Sequence, residues 1–292
     1  MQDRILRDRV IFVTGATHGF GREVSMHLYA LGANLIITSR HKSDLENLRK
    51  AISPYGDSNQ IILSSEFDVG VHAECVDAVN NVLSDVGVCD GLVNNAGVYG
   101  SMGNFSGSSI EEWVEAINVN FLGSVYMTHA LLPHFINQNY GKIVQLSGGG
   151  ATSPMPNLSS YAASKAAIVR FMESIALEVV ENKVDINCIA PGALNTRLLD
   201  QVIESGPKKV GQAFYEKSVS QKLDGGAPTQ HGIDLTAFLL SKFSDGISGK
   251  LISALWDDWK TFPRYLNELR NSDVFTLRRI VGKERGFAEL DL

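Results

Sequence analysis

Across 292 residues, 44% hydrophobic and 20% charged, the chain carries the apolar content of a globular protein with a substantial core. A net charge of −6 without an extended basic run argues against nucleic acid or an anionic membrane surface as partner.

Val10 to Val13 is a short β-branched apolar run and reads as a buried strand. Glycines follow, and a helix is predicted from Gly21 to Leu31, with Val24, Leu28 and Leu31 on one face and Gly32 as its C-terminal cap. Asn34 to Thr38 predicts a second strand, and Ser43 to Ile52 a second helix. Ile61 to Phe67 reads as a strand, Val71 to Val86 as a helix, and Gly91 to Asn94 as a strand. Ser109 to about Asn137 is predicted to be largely helical, with Pro133 expected to bend or end it. Lys142 to Leu146 follows as a strand, Ser159 to Val180 as a long helix, and Val184 to Ala190 as another strand. A less regular region holds helical stretches near 208–218 and 230–240, and Gly249 to Ala254 is the last strand.

Seven buried-type strands alternating with helices predict an α/β fold, a parallel sheet covered on both sides. No linker or internal repeat divides residues 1–254, which read as one domain. Residues 255–292 differ in character. Trp256, Trp259, Phe262, Tyr265 and Phe275, with the basic pair Arg278 and Arg279, suggest an extension packed on the body or on a neighbouring subunit.

Three scattered cysteines, Cys75, Cys89 and Cys188, form no CxxC pair, and the seven histidines show no HxxxH or HExxH spacing. No metal site is expected. The N-terminus, with Asp3, Arg4, Arg7, Asp8 and Arg9, lacks the apolar stretch of a secretory signal, and no run of about 18 apolar residues occurs. A cytoplasmic setting without membrane contact is expected.

The first strand runs into Thr14-Gly15-Ala16-Thr17-His18-Gly19-Phe20-Gly21. Glycines allow a sharp turn and close approach to a ligand, and the next helix aims its N-terminal amides at the same spot. A dinucleotide pyrophosphate suits such a site. Further motifs follow: Asp68-Val69 after the third strand, Asn94-Asn95-Ala96-Gly97 after the fourth, Asn118-Val119-Asn120 within the next helix, Tyr161-Ala162-Ala163-Ser164-Lys165, and Pro191-Gly192. In this order the motifs resemble the short-chain dehydrogenase/reductase family over about residues 8–254.

The resemblance implies a Rossmann-like doubly wound sheet, a dinucleotide-binding and catalytic domain over 1–254, and a homodimer or homotetramer. It would pair the segments 109–132 and 159–180 between subunits, where Trp113, Phe121, Tyr126 and Phe171 supply apolar material. It also implies hydride transfer between a nicotinamide cofactor and a small-molecule alcohol or carbonyl. By the family's pattern Asp68 holds the adenine, Asn94 to Gly97 line the cofactor cleft, and Pro191, Gly192, Leu194 and Thr196 lie against the nicotinamide.

The cofactor type is read at the end of the second strand. Ser39 stands where an acidic residue would favour NAD(H), and Arg40 beside it suits a 2′-phosphate. NADP(H) is the preferred reading and NAD(H) stays possible, since Arg40 at a strand end can also be a solvated side chain.

Tyr161 and Lys165, four apart, share one helix face. The ammonium, together with an oxidised nicotinamide, is expected to lower the phenol's pKa, and Tyr161 then serves as general acid/base. Lys165 would also hold the nicotinamide ribose. Asn120 has the implied role of holding a proton-relaying water, with a helix-interior amide bonded to backbone as the alternative. One departure stands out. The family's serine thirteen residues before the tyrosine is Gly148 here, within Leu146-Ser147-Gly148-Gly149-Gly150. On a regular strand Ser147 points to the opposite face, yet three glycines free the turn to bring Ser147 or Thr152 inward, and Ser147 is kept as a catalytic candidate. Two other readings compete: a sugar-modifying epimerase or dehydratase, disfavoured by the glycine spacing, and a dinucleotide-binding protein without catalysis, supported only by Gly148.

Overall fold

The computed structural model describes residues 4–290; residues 1–3 and 291–292, the outer ends of the two predicted segments, lie outside the described residues. Seven strands, β1 (Val10–Val13), β2 (Asn34–Ser39), β3 (Ile62–Glu66), β4 (Gly91–Asn94), β5 (Gly141–Leu146), β6 (Val184–Ala190) and β7 (Lys250–Ser253), form one sheet in the order β3-β2-β1-β4-β5-β6-β7. Every neighbouring pair is parallel. Parallel pairing requires crossovers, and helices provide them. These are α1 (Gly19–Ala30), α2 (Lys42–Ile52), α3 (His72–Val86), α4 (Ile110–Ile117), α5 (Gly123–Asn137) and α6 (Ser159–Glu178). Between β6 and β7 come α7 (Arg197–Ser205), α8 (Pro207–Val210), α9 (Gln212–Asp224) and α10 (Thr229–Leu240). The winding reverses between β1 and β4, which leaves a crevice at their carboxyl ends where α/β sheets take ligands.

Alternation along the strands sorts the core into two layers. Ile11, Val13, Leu35 and Ile37 pack with α1, α2 and α10, whereas Val10, Phe12 and Ile36 face α3, α5 and α6. On the second side Phe121 and Phe171 meet edge to face at 6.1 Å within one chain, and Trp113 donates its indole N–H to Ser159 at 3.0 Å.

The extension lies along the β7 edge. Trp259, Phe262 and Leu269, the last on α11 (Leu266–Arg270), are buried in the first layer, and Phe262 stacks on Phe275 at 4.9 Å. Leu251 N–H on β7 donates to Phe275 O at 2.7 Å, so part of the edge is paired. Leu277 then reaches the second layer and donates its N–H to Glu173 of α6 at 2.7 Å.

Lys142 enters the base of the sheet fully buried, 1% exposed, with Nζ 2.6 Å from Asp185 and 2.7 Å from Asp245. A lysine is tolerated there because two carboxylates meet it. Lys142→Met fills the space but leaves Asp185 buried without its cation, and is expected to lower unfolding free energy by about 3 kcal/mol. Urea denaturation measures this; a loss below about 1 kcal/mol would mean solvent already screens the pair.

Three local expectations need correction. Pro133 does not end the segment: α5 continues to Asn137. Its missing N–H frees the carbonyl of His129, an exposed residue whose oxygen water can satisfy. The interruption lies upstream instead, as a π-helical turn at Asn118–Leu122 that separates α4 from α5. The region after β6 is also more regular than expected, since Arg197–Ser205 forms α7 and buries Leu199 and Val202.

Candidate active site

The turn after β1 depends on two left-handed glycines, Gly15 at φ 59° and Gly19 at φ 51°. Thr14 and Asn95 hold it against the turn after β4. Asn95 and Ala96 donate their backbone N–H groups to Thr14 Oγ1 at 3.0 and 3.1 Å. The Asn95 side-chain amide donates to Thr14 O and Gly15 O, both at 2.9 Å. No side chain caps the start of α1 at His18, so its first amides point unshared toward the crevice.

Around this turn lies a cleft of about 400 Å³. Gly15, Thr17, His18, Gly19, Phe20, Ser39, Arg40, Asp68, Val69, Asn95, Ala96, Gly97 and Thr196 all line it. Thr17 Oγ1 donates to Ser39 Oγ at 3.3 Å and lies 2.9 Å from His18 Nδ1. Arg40 is 55% exposed, with its guanidinium 3.7 Å from Asp68. Uncapped amides and left-handed glycines fit a dinucleotide, whose pyrophosphate the α1 N-terminus would hold and whose adenosine end Arg40 and Asp68 would meet.

Gly21 belongs to the first turn of α1, and Pro191, Gly192 and Leu194 belong to the loop after β6. Gly21 sits where a Cβ would be 2.4 Å from Gly15 O. Pro191 packs beneath α10 at Gly232, Gly192 at φ 104° abuts Leu255 and Ala227, and Leu194 O accepts from Thr196 N at 3.1 Å.

Phe67, Val98, Val119, Arg197, Leu198 and Gln201, none of them named from the sequence as a cofactor residue, also line the cleft. The last three come from the unexpected α7. Its signal is present as Leu198, Leu199 and Val202 at helical spacing behind Thr196. A separate depression of about 620 Å³, between Arg4, Arg7, Arg9, Asp90 and Lys242, lies at the opposite end of the strands, where Arg4 and Arg9 pair with Asp57 and Asp90.

Tyr161 and Lys165 rise on α6 beside this cleft. Asn120 makes the connection. Fully buried within the π turn, its amide accepts from Val98 N and donates to Val98 O, both at 2.8 Å, and donates to Ser164 Oγ at 3.0 Å. The side chain is thus committed to protein partners and ties the β4 loop to α6, which is the bonded-amide alternative of the sequence reading. Lys165 is buried and donates to Leu146 O at 2.8 Å, with Nζ 5.5 Å from the centre of the Tyr161 ring.

Burial pulls the Lys165 ammonium down to about 8. Burial also pushes the Tyr161 phenol upward, with Tyr99 adding to the rise. Desolvation sets this direction, and it is opposite to the one a neighbouring ammonium alone would impose. Tyr161 is therefore held protonated, and its hydroxyl has no hydrogen-bond partner among the described residues.

At the end of β5, Gly148 is the residue facing this hydroxyl. A Cβ there would lie 3.2 Å from Tyr161 Oη, on extended backbone at φ 167°. Ser147 is buried and its Oγ has no hydrogen-bond partner among the described residues, Tyr161 included. Thr152 is exposed.

A family model described as short chain dehydrogenase matches residues 9–206. The chain is 32% identical over 214 residues to 11-beta-hydroxysteroid dehydrogenase-like 3 of Arabidopsis thaliana, covering 73% of this chain and 67% of that protein. Against such curated relatives it spans between 51% and 73% of their length. NAD+-bound xylitol dehydrogenase superposes with a TM-score of 0.78 at 24% identity, covering 85% of this chain and 98% of that one. A gluconate 5-dehydrogenase from Burkholderia cenocepacia in complex with NADP and tartrate gives 0.75 at 23% identity, covering 86% and 95%. The chain belongs to the short chain dehydrogenase family, whose members are NAD(P)-dependent oxidoreductases. The two superpositions confirm the seven-stranded doubly wound fold.

Proposed function

We propose that this chain is an NADP(H)-dependent oxidoreductase that interconverts an alcohol and a carbonyl, with Tyr161 as general acid/base. The observation that carries this reading is the hydroxyl of Tyr161, without a hydrogen-bond partner among the described residues and held beside the dinucleotide cleft with Lys165 at its back. When bound, the cofactor supplies the hydride chemistry at the substrate carbon. Tyr161 gives its proton to the carbonyl oxygen in reduction; in oxidation it takes the alcohol's proton only as phenolate, after its own proton has left to solvent. Lys165, fixed on Leu146 O, changes charge near neutrality and helps Tyr161 recover its proton. Asn120 positions the β4 loop against α6. Steady-state assays with NADPH and a panel of ketones and aldehydes test the reading: turnover supports it, and tight cofactor binding without turnover of any compound would favour the non-catalytic alternative.

The cofactor preference rests on Arg40 and the hydroxyls of Thr17 and Ser39 at the cleft rim. NADPH is expected to bind more tightly than NADH. Arg40→Ala should narrow that gap by about tenfold, because one charge-assisted bond to a phosphate contributes roughly 1.5–3 kcal/mol and Asp68 shares this guanidinium. Fluorescence titration of both cofactors into wild type and variant measures it. An NADH preference in wild type would refute the phosphate role while leaving the oxidoreductase reading in place.

A further inference from the structure

A carbonyl oxygen that gains negative charge during reduction is best stabilised by more than one preorganised donor. Tyr161 is one, and Gly148 opposite it has no side chain to provide another. Nearby hydroxyls are unsuited: Ser164 Oγ donates to Tyr161 O at 2.7 Å, Ser160 Oγ donates to Tyr99 O at 3.2 Å, and Ser147 Oγ is enclosed without a partner. Tyr99 is different. Its ring packs on that of Tyr161, centroids 4.7 Å apart and tilted by 60°, and its hydroxyl makes no hydrogen bond among the described residues.

We infer that Tyr99 is the second hydroxyl donor to the substrate oxygen, supplying from the β4 loop a hydrogen bond that Gly148, without a side chain, does not provide. The inference rests on the reading of Tyr161 as proton donor. Tyr99 keeps its own proton throughout; it contributes a hydrogen bond, and the proton transferred is that of Tyr161.

The backbone on both sides of Tyr99 is built for such a role. Asn120 engages both polar groups of Val98, and Ser160 holds the carbonyl of Tyr99 itself. Gly100 follows at φ 71°, packed so closely that a Cβ would lie 2.4 Å from that of Ala116 and 2.9 Å from Glu112 O. Tyr99 therefore stands on a segment fixed by α6, the π turn and α4 at once. Partial burial raises its phenol above the ordinary value, so it remains a donor throughout the neutral range.

The test uses the full chain with NADPH deuterated at the transferring position and a carbonyl that wild type reduces. Tyr99→Phe keeps the ring and removes the hydroxyl. It is expected to lower kcat on the order of 10²-fold, with KM, NADPH affinity and Tm unchanged. Adding Gly148→Ser to Tyr99→Phe should recover at least about tenfold of that loss, since extended backbone accepts a side chain and the new hydroxyl would stand beside Tyr161. A kcat for Tyr99→Phe within about threefold of wild type would overturn the inference. So would a loss accompanied by lower Tm or weaker NADPH binding, which would make Tyr99 a packing residue. An active wild type and a silent Tyr161→Phe would leave the parent reading standing in either case; a wild type that transfers no deuteride to any carbonyl overturns both.

Discussion

Replacing Tyr161 with Phe is expected to lower turnover by about 10²–10⁴-fold and to leave cofactor affinity within about twofold of wild type. The ring keeps its packing against Tyr99, and only the oxygen is lost. Nothing in the protein bonds to that oxygen among the described residues, so its removal strands no buried partner and should leave Tm nearly unchanged. The same chemistry fixes a pH dependence. Burial raises the folded pKa of this phenol, so the proton donor is present below that raised value and is lost only as pH climbs through it. Reduction by wild type should show no acidic requirement from Tyr161 through the neutral range. Rates measured from pH 6 to 9 alongside Tyr161→Phe check both statements, and a variant retaining more than about a tenth of wild-type turnover would assign the proton to another group.

Gly21→Ala should be the most damaging single methyl in the cofactor turn. The added Cβ would lie 2.3 Å from Asn95 Nδ2 and 2.4 Å from Gly15 O. Asn95 cannot withdraw without releasing its bonds to Thr14 O and Gly15 O. Gly15 O cannot retreat freely either, because it accepts from the Asn95 amide and stands on a left-handed residue at φ 59°. Overpacking of this kind costs about 1–3 kcal/mol, and the turn that must open is the one that cradles the phosphates. The expected result is a loss of NADPH affinity of about tenfold to a hundredfold, with a lowered Tm. Titration monitored by nicotinamide fluorescence measures it; unchanged affinity would show that the pyrophosphate does not rest on this turn.

The parts of the site that were legible in the sequence are those whose geometry is set within one short stretch of chain. Thr14 to Gly21 is a strand, a turn and a helix start, and its glycines declare the two left-handed positions directly. Tyr161 and Lys165 share a face because the helix that carries both has a fixed period. Strand positions were readable for the same reason: β-branched apolar runs such as Val10–Val13 and Val184–Ala190 have little alternative to burial in a parallel sheet. What stayed hidden depends on contacts across the chain. The stacking of Tyr99 on Tyr161 exists because the Asn120 amide joins the β4 loop to α6 through Val98 and Ser164, an arrangement that no local spacing records. The π turn was absorbed into a single long helix, since one extra residue in a turn leaves the hydrophobic period nearly intact. The depth at which Tyr161 and Lys165 are buried, which raises the one pKa and lowers the other, is likewise a product of tertiary packing that a sequence does not display.

The most direct measurement is deuteride transfer from NADPH, deuterated at the transferring position, to a panel of ketones and aldehydes under single-turnover conditions with wild type and Tyr161→Phe. The account predicts an alcohol carrying deuterium on the former carbonyl carbon in step with cofactor oxidation by wild type, and almost none by the variant. Equal transfer by both proteins would contradict Tyr161 as the proton donor, and saturating NADPH binding with no deuterium in any product would contradict the oxidoreductase itself.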